Sequence, residues 1–304
     1  MNKQYIRQLN IWIESGDETV RWKAQKLAKT LERENIAVCP AAGNVEQCAV
    51  CPAAGNPEQG AGRADGILWR TDSAVAARQL AEKQFPVIAW LHEGNRSAGF
   101  DTVRYAVECP EELDGDFFDK IYRRYAGIPW DILETDRCLV RETTVDDVDA
   151  FVRIYQDPAV TRYTEPFCRE PQAEREYVKE YVEKVYDFYG YGVWTVLWKE
   201  SGEVIGRVGF EQAEPPALGY MIAPQWQGKG IAYEVCRAVL QFAREELGME
   251  KIQVRIHREN AASIRLAEKL GFVQEAMPID DNCDAINLEK CVFYSLKIQK
   301  NVIC

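Results

Sequence analysis

Two hydrophobic periodicities alternate along the 304-residue chain, and their order divides it in two. Ile6, Leu9 and Ile13 recur at helical spacing, and Val20, Ala24, Leu27, Ala28 and Leu31 form the stripe of a second helix that Asp17 is placed to cap. Short apolar runs follow at Gly66 to Arg70, Pro86 to Trp90 and Arg104 to Glu108, with a further strand at Ile36 to Cys39. Helical patterns lie at about Ser73 to Lys83 and Glu111 to Tyr125. Strands alternating with helices in this way predict a small, Rossmann-like parallel α/β domain over residues 1–134.

Gly127 and Pro129 break both periodicities, so the join between domains is expected near Asp131 to Asp136. Beyond it a strand opens at Cys138, followed by helices at about Val145 to Gln156 and Pro171 to Tyr189. Strands are predicted at Val193 to Lys199, Glu203 to Glu211 and Ala217 to Ile222. Ile231, Val235, Ala238, Val239, Phe242 and Ala243 then mark one face of a long helix.

The turn between the last of these strands and that helix, Ala223-Pro-Gln-Trp-Gln-Gly-Lys-Gly-Ile-Ala232, is the most informative stretch of the chain. Gly228 and Gly230 let the backbone approach a ligand closely, and the first N–H groups of the helix lack partners inside it. A phosphorylated anion is the natural occupant. A plain strand-turn-helix connection would also use such glycines, so the downstream sequence decides. After a strand at Lys251 to His257 come Glu259-Asn-Ala-Ala-Ser263 and a short helix closing in Glu268-Lys-Leu-Gly-Phe272. Here Asn260 is an N-cap, Ile264, Ala267 and Leu270 form the buried stripe, and Gly271 stands at a left-handed helix end.

Gln225-x-x-Gly228-x-Gly230 followed by Asn260-x-x-Ser263 and Lys269-Leu-Gly-Phe272 resembles the acyl-coenzyme A signatures of the GNAT superfamily of N-acetyltransferases. The resemblance covers roughly residues 137 to 300. Leu139-Val-Arg-Glu142, Gly219-Tyr-Met-Ile222 and Asn260-Ala-Ala-Ser-Ile-Arg265 look most like the ribosomal-protein N-terminal acetyltransferase branch. The resemblance implies that residues 135–304 have the GNAT acyl-CoA N-acyltransferase fold, a mixed, largely antiparallel sheet with splayed central strands. It implies acetyl-CoA as cosubstrate, with no metal. Pantetheine would lie along Met221, Ile222 and Ala223 and beside Asn260, and the pyrophosphate at Gln225, Trp226, Gln227, Gly228, Lys229, Gly230, Ile231 and Ala232.

Acetyl transfer also needs a base for the amine and a proton donor for the departing thiolate. Glu211, at the end of a strand beside the expected opening, is the candidate base, with Glu165 its competitor. Many GNAT enzymes place a tyrosine two residues before the Lys-Leu-Gly-Phe run, where this chain has Ala267. Ser263 is therefore the first candidate acid and Tyr220 the second. Tyr177, Tyr181, Tyr186, Phe188, Tyr189, Tyr191 and Trp194 either grip the acceptor or pack the core, and Tyr163 to Phe167 suits a rim.

Gly66-Ile-Leu-Trp-Arg70 ending in Thr71-Asp72-Ser73 faintly resembles the haloacid dehalogenase and response-regulator type of Rossmann-like domain. A carboxylate at a strand's C-terminal edge would suit magnesium or phosphoryl chemistry, but the Asp-x-Asp motif is missing, and helix capping by Asp72 or Ser73 is the simpler account. Cys39-Pro-Ala-Ala-Gly-Asn, repeated from Cys51 with Cys48 between, is expected as a duplicated loop inserted at residues 39–64; three thiols without a nearby histidine make a poor zinc set.

The net charge of −11 divides evenly, with 16 basic and 21 acidic residues up to Asp136 and 21 and 27 after it. Such a surface disfavours nucleic acid and mildly favours a cationic acceptor. The N-terminus lacks the apolar core of a signal peptide and no run approaches a membrane span, so a cytoplasmic protein acting on neither membrane nor nucleic acid is expected. The acceptor is either a protein N-terminus or a small-molecule amine. Two other readings remain: a coenzyme A-sensing regulator, and a phosphatase centred on Asp72.

Overall fold

The computed structural model describes residues 4–41, 66–164, 170–275 and 290–298; Cys48, Cys51, Glu165 and Phe167 lie outside them. The chain separates into two compact units, Met1–Ile128 and Pro129–Cys304.

The first unit is a parallel α/β layer. Strands β1 (Gln8–Trp12), β2 (Ala37–Ala41), β3 (Ile67–Thr71), β4 (Val87–Trp90) and β5 (Tyr105–Val107) form one sheet in the order β2-β1-β3-β4-β5. Every pairing is parallel. Helices α1 (Glu18–Arg33) and α3 (Gly115–Ala126) cover one face, where Leu27, Leu31 and Phe118 pack on Leu9, Leu68 and Ile88. Helix α2 (Ala74–Glu82) covers the other, with Ala76 and Leu80 against Trp12, Trp69 and Val87. Asp17 caps α1 by accepting from the Thr19 amide at 2.7 Å.

Two expectations are corrected here. Ile6, Leu9 and Ile13 do not share a helix: Gln8–Trp12 is an inner strand of the sheet. A strand enclosed on both faces shows no alternation, and Leu9, Asn10, Ile11 and Trp12 are all buried. Strand β2 runs through Cys39 and Pro40 to Ala41, so the first Cys-Pro-Ala of the repeat is strand and not loop. Proline is tolerated there because β2 is an edge strand.

Asp72, at the end of β3, accepts from the backbone amides of Glu14 and Ser15 at 2.7 and 3.0 Å, tying the β1–α1 loop to the sheet. Ser73 caps α2 through the Ala76 amide at 3.2 Å. Both oxygens of the Asp72 carboxylate thus have structural duties, and nothing in this geometry favours it as a phosphoryl acceptor. Arg70 beside it is fully enclosed, its guanidinium 4.2 Å from the Trp90 ring centroid, with none of its nitrogens hydrogen-bonded. Burial pushes its pKa down to about 9.

The second unit holds an eight-stranded sheet. Its strands are β6 (Asp131–Glu134), β7 (Cys138–Arg141), β8 (Val193–Trp198), β9 (Val204–Glu211), β10 (Ala217–Ile222), β11 (Lys251–His257), β12 (Val273–Glu275) and β13 (Cys291–Lys297), in the order β12-β13-β11-β10-β9-β8-β7-β6. Neighbours are antiparallel except β10 and β11, which run parallel and share one register pair, Ala217 with Gln253.

Helix α4 (Val148–Tyr155) and the short α5 (Pro158–Thr161) lie on the face of Met221, with Phe151, Ile154 and Val160 packed there. Helix α6 (Pro171–Tyr181) passes through a π-helical turn, Val182–Tyr186, into α7 (Asp187–Tyr189), where one continuous helix was expected. The extra residue in that turn brings the Tyr181 and Tyr186 rings together edge-on, 5.2 Å between centroids. Both hydroxyls then reach Val193: its amide donates to Tyr181 at 2.9 Å, and Tyr186 donates to its carbonyl at 2.7 Å. Helices α8 (Ile231–Glu245) and α9 (Ala261–Lys269) cover the opposite face, burying Val235, Val239 and Ala267 against Leu218, Ile222 and Val254.

Candidate active site

The glycine turn leaves β10 through a short 3-10 segment, Pro224–Trp226. Gly228 and Gly230 have φ of 72° and 80°, left-handed values that a side chain would strain. Gly230 is the N-cap of α8 and supplies no side-chain cap, so the leading amides of the helix are left to a ligand or to water. The turn is braced from several sides. Gln227 donates to the Ile222 carbonyl at 2.7 Å, Trp226 stacks on Trp198 with centroids 4.5 Å apart, and Lys229 lies 4.8 Å from the Trp226 ring. Gln225 is exposed, while Ala223 and Ile231 are buried and Ala232 half-buried.

The brace that sequence reasoning missed is Arg137. From just before β7 it donates to the Lys229 carbonyl at 3.0 Å and pairs with Glu234 in the first turn of α8 at 2.6 Å. Nothing local marks this residue, which lies 97 positions before Glu234.

A split in the sheet forms the centre of the site. Because β10 and β11 pair at Ala217 and Gln253 alone, they diverge toward Met221 and His257. On the α8/α9 side of the split, the Tyr220 hydroxyl donates to the Ser263 carbonyl oxygen at 3.4 Å. Burial pushes the Tyr220 phenol up to about 12. Asn260 caps α9 by accepting from the Ser263 amide at 3.1 Å, and Gly271 ends the following turn with φ of 90°. Ala267, where a tyrosine is common in the resembled family, is 2% exposed and packed in the core.

The other face carries Glu211, exposed at the end of β9, opposite Ala217 in register. A cleft of about 1170 Å³ opens here and takes in Glu211, Tyr220, Met221, Asn260 and Ser263. The glycine turn does not line this cleft. Arg207, Arg162, Tyr163 and His257 do, and the sequence reading had assigned roles to none of them except Tyr163, as a rim residue. Of the aromatic candidates, Trp194 and Tyr186 are core, whereas Phe188 is 81% exposed. Tyr163 packs against His257 with centroids 5.4 Å apart. Among the described residues, no cluster of three or more His, Cys, Asp or Glu could hold a metal ion.

Residues 137–273 match the acetyltransferase (GNAT) domain, and the match begins at Arg137. The chain is 32% identical over 146 residues to the protein YkkB of Bacillus subtilis (strain 168), covering 46% of this chain and 84% of that one. The chain belongs to the GNAT acetyltransferase family. The N-acetyltransferase p20 of Bacillus licheniformis is 27% identical over 154 residues, covering 48% of this acetyltransferase and 84% of that protein. The structure of ribosomal-protein-S5-alanine acetyltransferase from Vibrio fischeri superposes with a TM-score of 0.47 at 18% identity, covering 54% of this chain and 95% of that one.

Acetyl-CoA is the cosubstrate of the family, and the residues present fit it. The Gly228 and Gly230 backbone and the uncapped start of α8 suit phosphate oxygens, and the unpaired edge of β10 beyond Ala217 suits an extended, hydrogen-bonding arm. Among the described residues, no helix of this acyltransferase is long and apolar enough to cross a membrane.

Proposed function

We propose that residues 135–304 form a domain that moves an acetyl group from acetyl-CoA to a primary amine by direct attack, with both substrates bound together. The observation that carries this reading is the placement of opposite chemistries on the two sides of the split. Tyr220 and Ser263 stand on the α8/α9 side of the sheet and Glu211 on the opposite face, and all three line the one cleft.

In this reading the turn from Gln225 to Ala232 holds the pyrophosphate, with Asn260 and the backbone of Met221 to Ala223 along the pantetheine. Glu211 takes the proton of the incoming ammonium, directly or through a water, and frees the lone pair that attacks the thioester carbonyl. The hydroxyl of Tyr220 or of Ser263 gives a proton to the leaving sulfur. Tyr220 carries its proton at neutral pH, as any phenol does, and burial raises its pKa further to about 12. The Ser263 carbonyl accepts from Tyr220, which holds the two candidate donors side by side. The acceptor is an amine on a small molecule or at a protein N-terminus.

The test is release of free thiol from acetyl-CoA in the presence of a broad amine panel. Amine-dependent release that Glu211→Gln abolishes supports acetyl transfer. Tight coenzyme binding with no release on any amine would favour a coenzyme-sensing protein instead.

A further inference from the structure

The cleft is unlike the rest of the chain in its charge. The whole sequence has 37 basic and 48 acidic residues, but the described lining of the cleft includes five cationic side chains, Arg162, Arg207, Lys251, Arg255 and Lys290, and three acidic ones, Glu211, Glu214 and Glu275. Lys251 and Glu275 are paired at 3.2 Å. The preference for a cationic acceptor suggested by net charge therefore does not extend to the surface an acceptor would touch.

Arg207 and Lys251 are the half-buried cations of this lining, and Lys251 is already paired. Arg207 sits in β9 directly opposite Met221, on the same face as Glu211. Adjacent strands lie ~4.8 Å apart, so its backbone is one strand removed from the strand expected to carry the donor. The side chain is half-buried, its Nε is buried without a hydrogen-bond partner, and among the described residues it has no ion pair. The guanidinium lies over the Phe151 ring, 5.0 Å from the centroid. A ring face satisfies the charge in part but takes none of the guanidinium's directed N–H groups. A guanidinium fork is shaped for two oxygens of a carboxylate or phosphate, and in a partly desolvated wall it repels a second ammonium.

We infer that the acceptor is an amine bearing a carboxylate or a phosphate, and that Arg207 pairs with this anionic group while the amine faces Glu211. The inference rests on the acetyl-transfer reading, and it makes Arg207 the residue that selects the acceptor. Polyamines and other multiply cationic amines are then poor substrates.

The test compares acceptors with and without an anionic group, using thiol release: alanine against alaninamide, O-phosphoethanolamine against ethanolamine, and the diamine putrescine. Calorimetric binding of the same compounds to the coenzyme A-loaded protein runs in parallel, and coenzyme A affinity checks the fold of each variant. The expected result is a preference for the anionic member of at least one pair, with Arg207→Gln raising its KM and its Kd about tenfold or more, as for a lost charge-assisted hydrogen bond. Arg207→Glu should move the preference toward putrescine, and the neutral amines should change little. Carboxylate and phosphate sources are separated by which pair shows the preference. Equal use of charged and neutral partners, a wild-type preference for putrescine, or anionic-amine binding unchanged in Arg207→Gln would overturn the inference. Arg207-dependent binding of anionic amines without any thiol release would instead sink the acetyl-transfer reading and leave the recognition by Arg207 standing.

Discussion

The hydroxyl of Tyr220 and the carbonyl oxygen of Ser263 meet at 3.4 Å, although the two residues lie 43 positions apart. The two hydroxyl-bearing residues that were separate candidates for the same proton transfer are therefore neighbours. If one of them gives the proton and the other only positions it, their losses will not add. Tyr220→Phe and Ser263→Ala should each lower kcat, Tyr220→Phe by about 10²-fold or more, with coenzyme A affinity within about twofold of wild type. The double variant should be little worse than the poorer single variant. Multiplicative losses in steady-state kinetics would show two independent roles.

The raised phenol pKa fixes the direction of a pH effect. The native state holds the Tyr220 proton up to about 12, whereas an unfolded tyrosine releases it near 10. Below pH ~10 both states are protonated and the full stabilisation is present. Between ~10 and ~12 the native state binds the extra proton, so this contribution declines as pH rises. Denaturant unfolding of wild type and Tyr220→Phe as a function of pH should show the two curves converging above ~10. The same shift means that turnover should show no loss of the Tyr220 proton donor between pH 7 and ~9.

Arg137 offers a separate test of the turn. Its ion pair with Glu234 is partly exposed, so its removal should cost the fold only about 0.2–1 kcal/mol. The Lys229 carbonyl also loses its bond to Arg137, however, and the turn loses a fixed position. Arg137→Ala should therefore weaken coenzyme A binding several-fold by calorimetry while thermal unfolding shifts little. A large drop in Tm with unchanged affinity would reverse that assignment.

The buried Arg70 of the first unit makes a contrary expectation. A guanidinium enclosed without hydrogen bonds bears a desolvation cost that its stacking on Trp90 offsets only in part. Arg70→Met, which keeps the length and the apolar stem, should hold or raise stability in chemical denaturation. A loss of about 3 kcal/mol or more would mean that the charge has a partner essential to the fold.

Legibility in the sequence followed the range of the interactions. Asp17, Ser73, Asn260 and Gly271 act within a few residues of themselves, and their caps and left-handed turn were readable as spelled. The glycine turn was readable for the same reason. Strand β1 was misread because Leu9 and Ile11 face one helix layer while Trp12 faces the other, which removes the alternation that marks a half-buried strand. Strand β13 alternates, with Val292, Tyr294 and Leu296 on the core side, yet its register against β11 depends on a partner about forty residues away. Arg137 and Arg207 were invisible as site residues because only the pairing of distant strands and the packing of α8 give them their neighbours.

The lone register pair between Ala217 and Gln253 also has a mechanical meaning. It makes the eight-stranded sheet two plates, five strands on one side and three on the other, joined near one end of a seam. Few ladder bonds cross this joint, so backbone amides of Gly219 to Ile222 that face the seam should exchange with solvent faster than those locked between β8 and β9. A ligand bridging the seam would stiffen both plates at once. Coenzyme binding should then be felt in β13, which hydrogen-bonds along the full length of β11 from outside the cleft's centre.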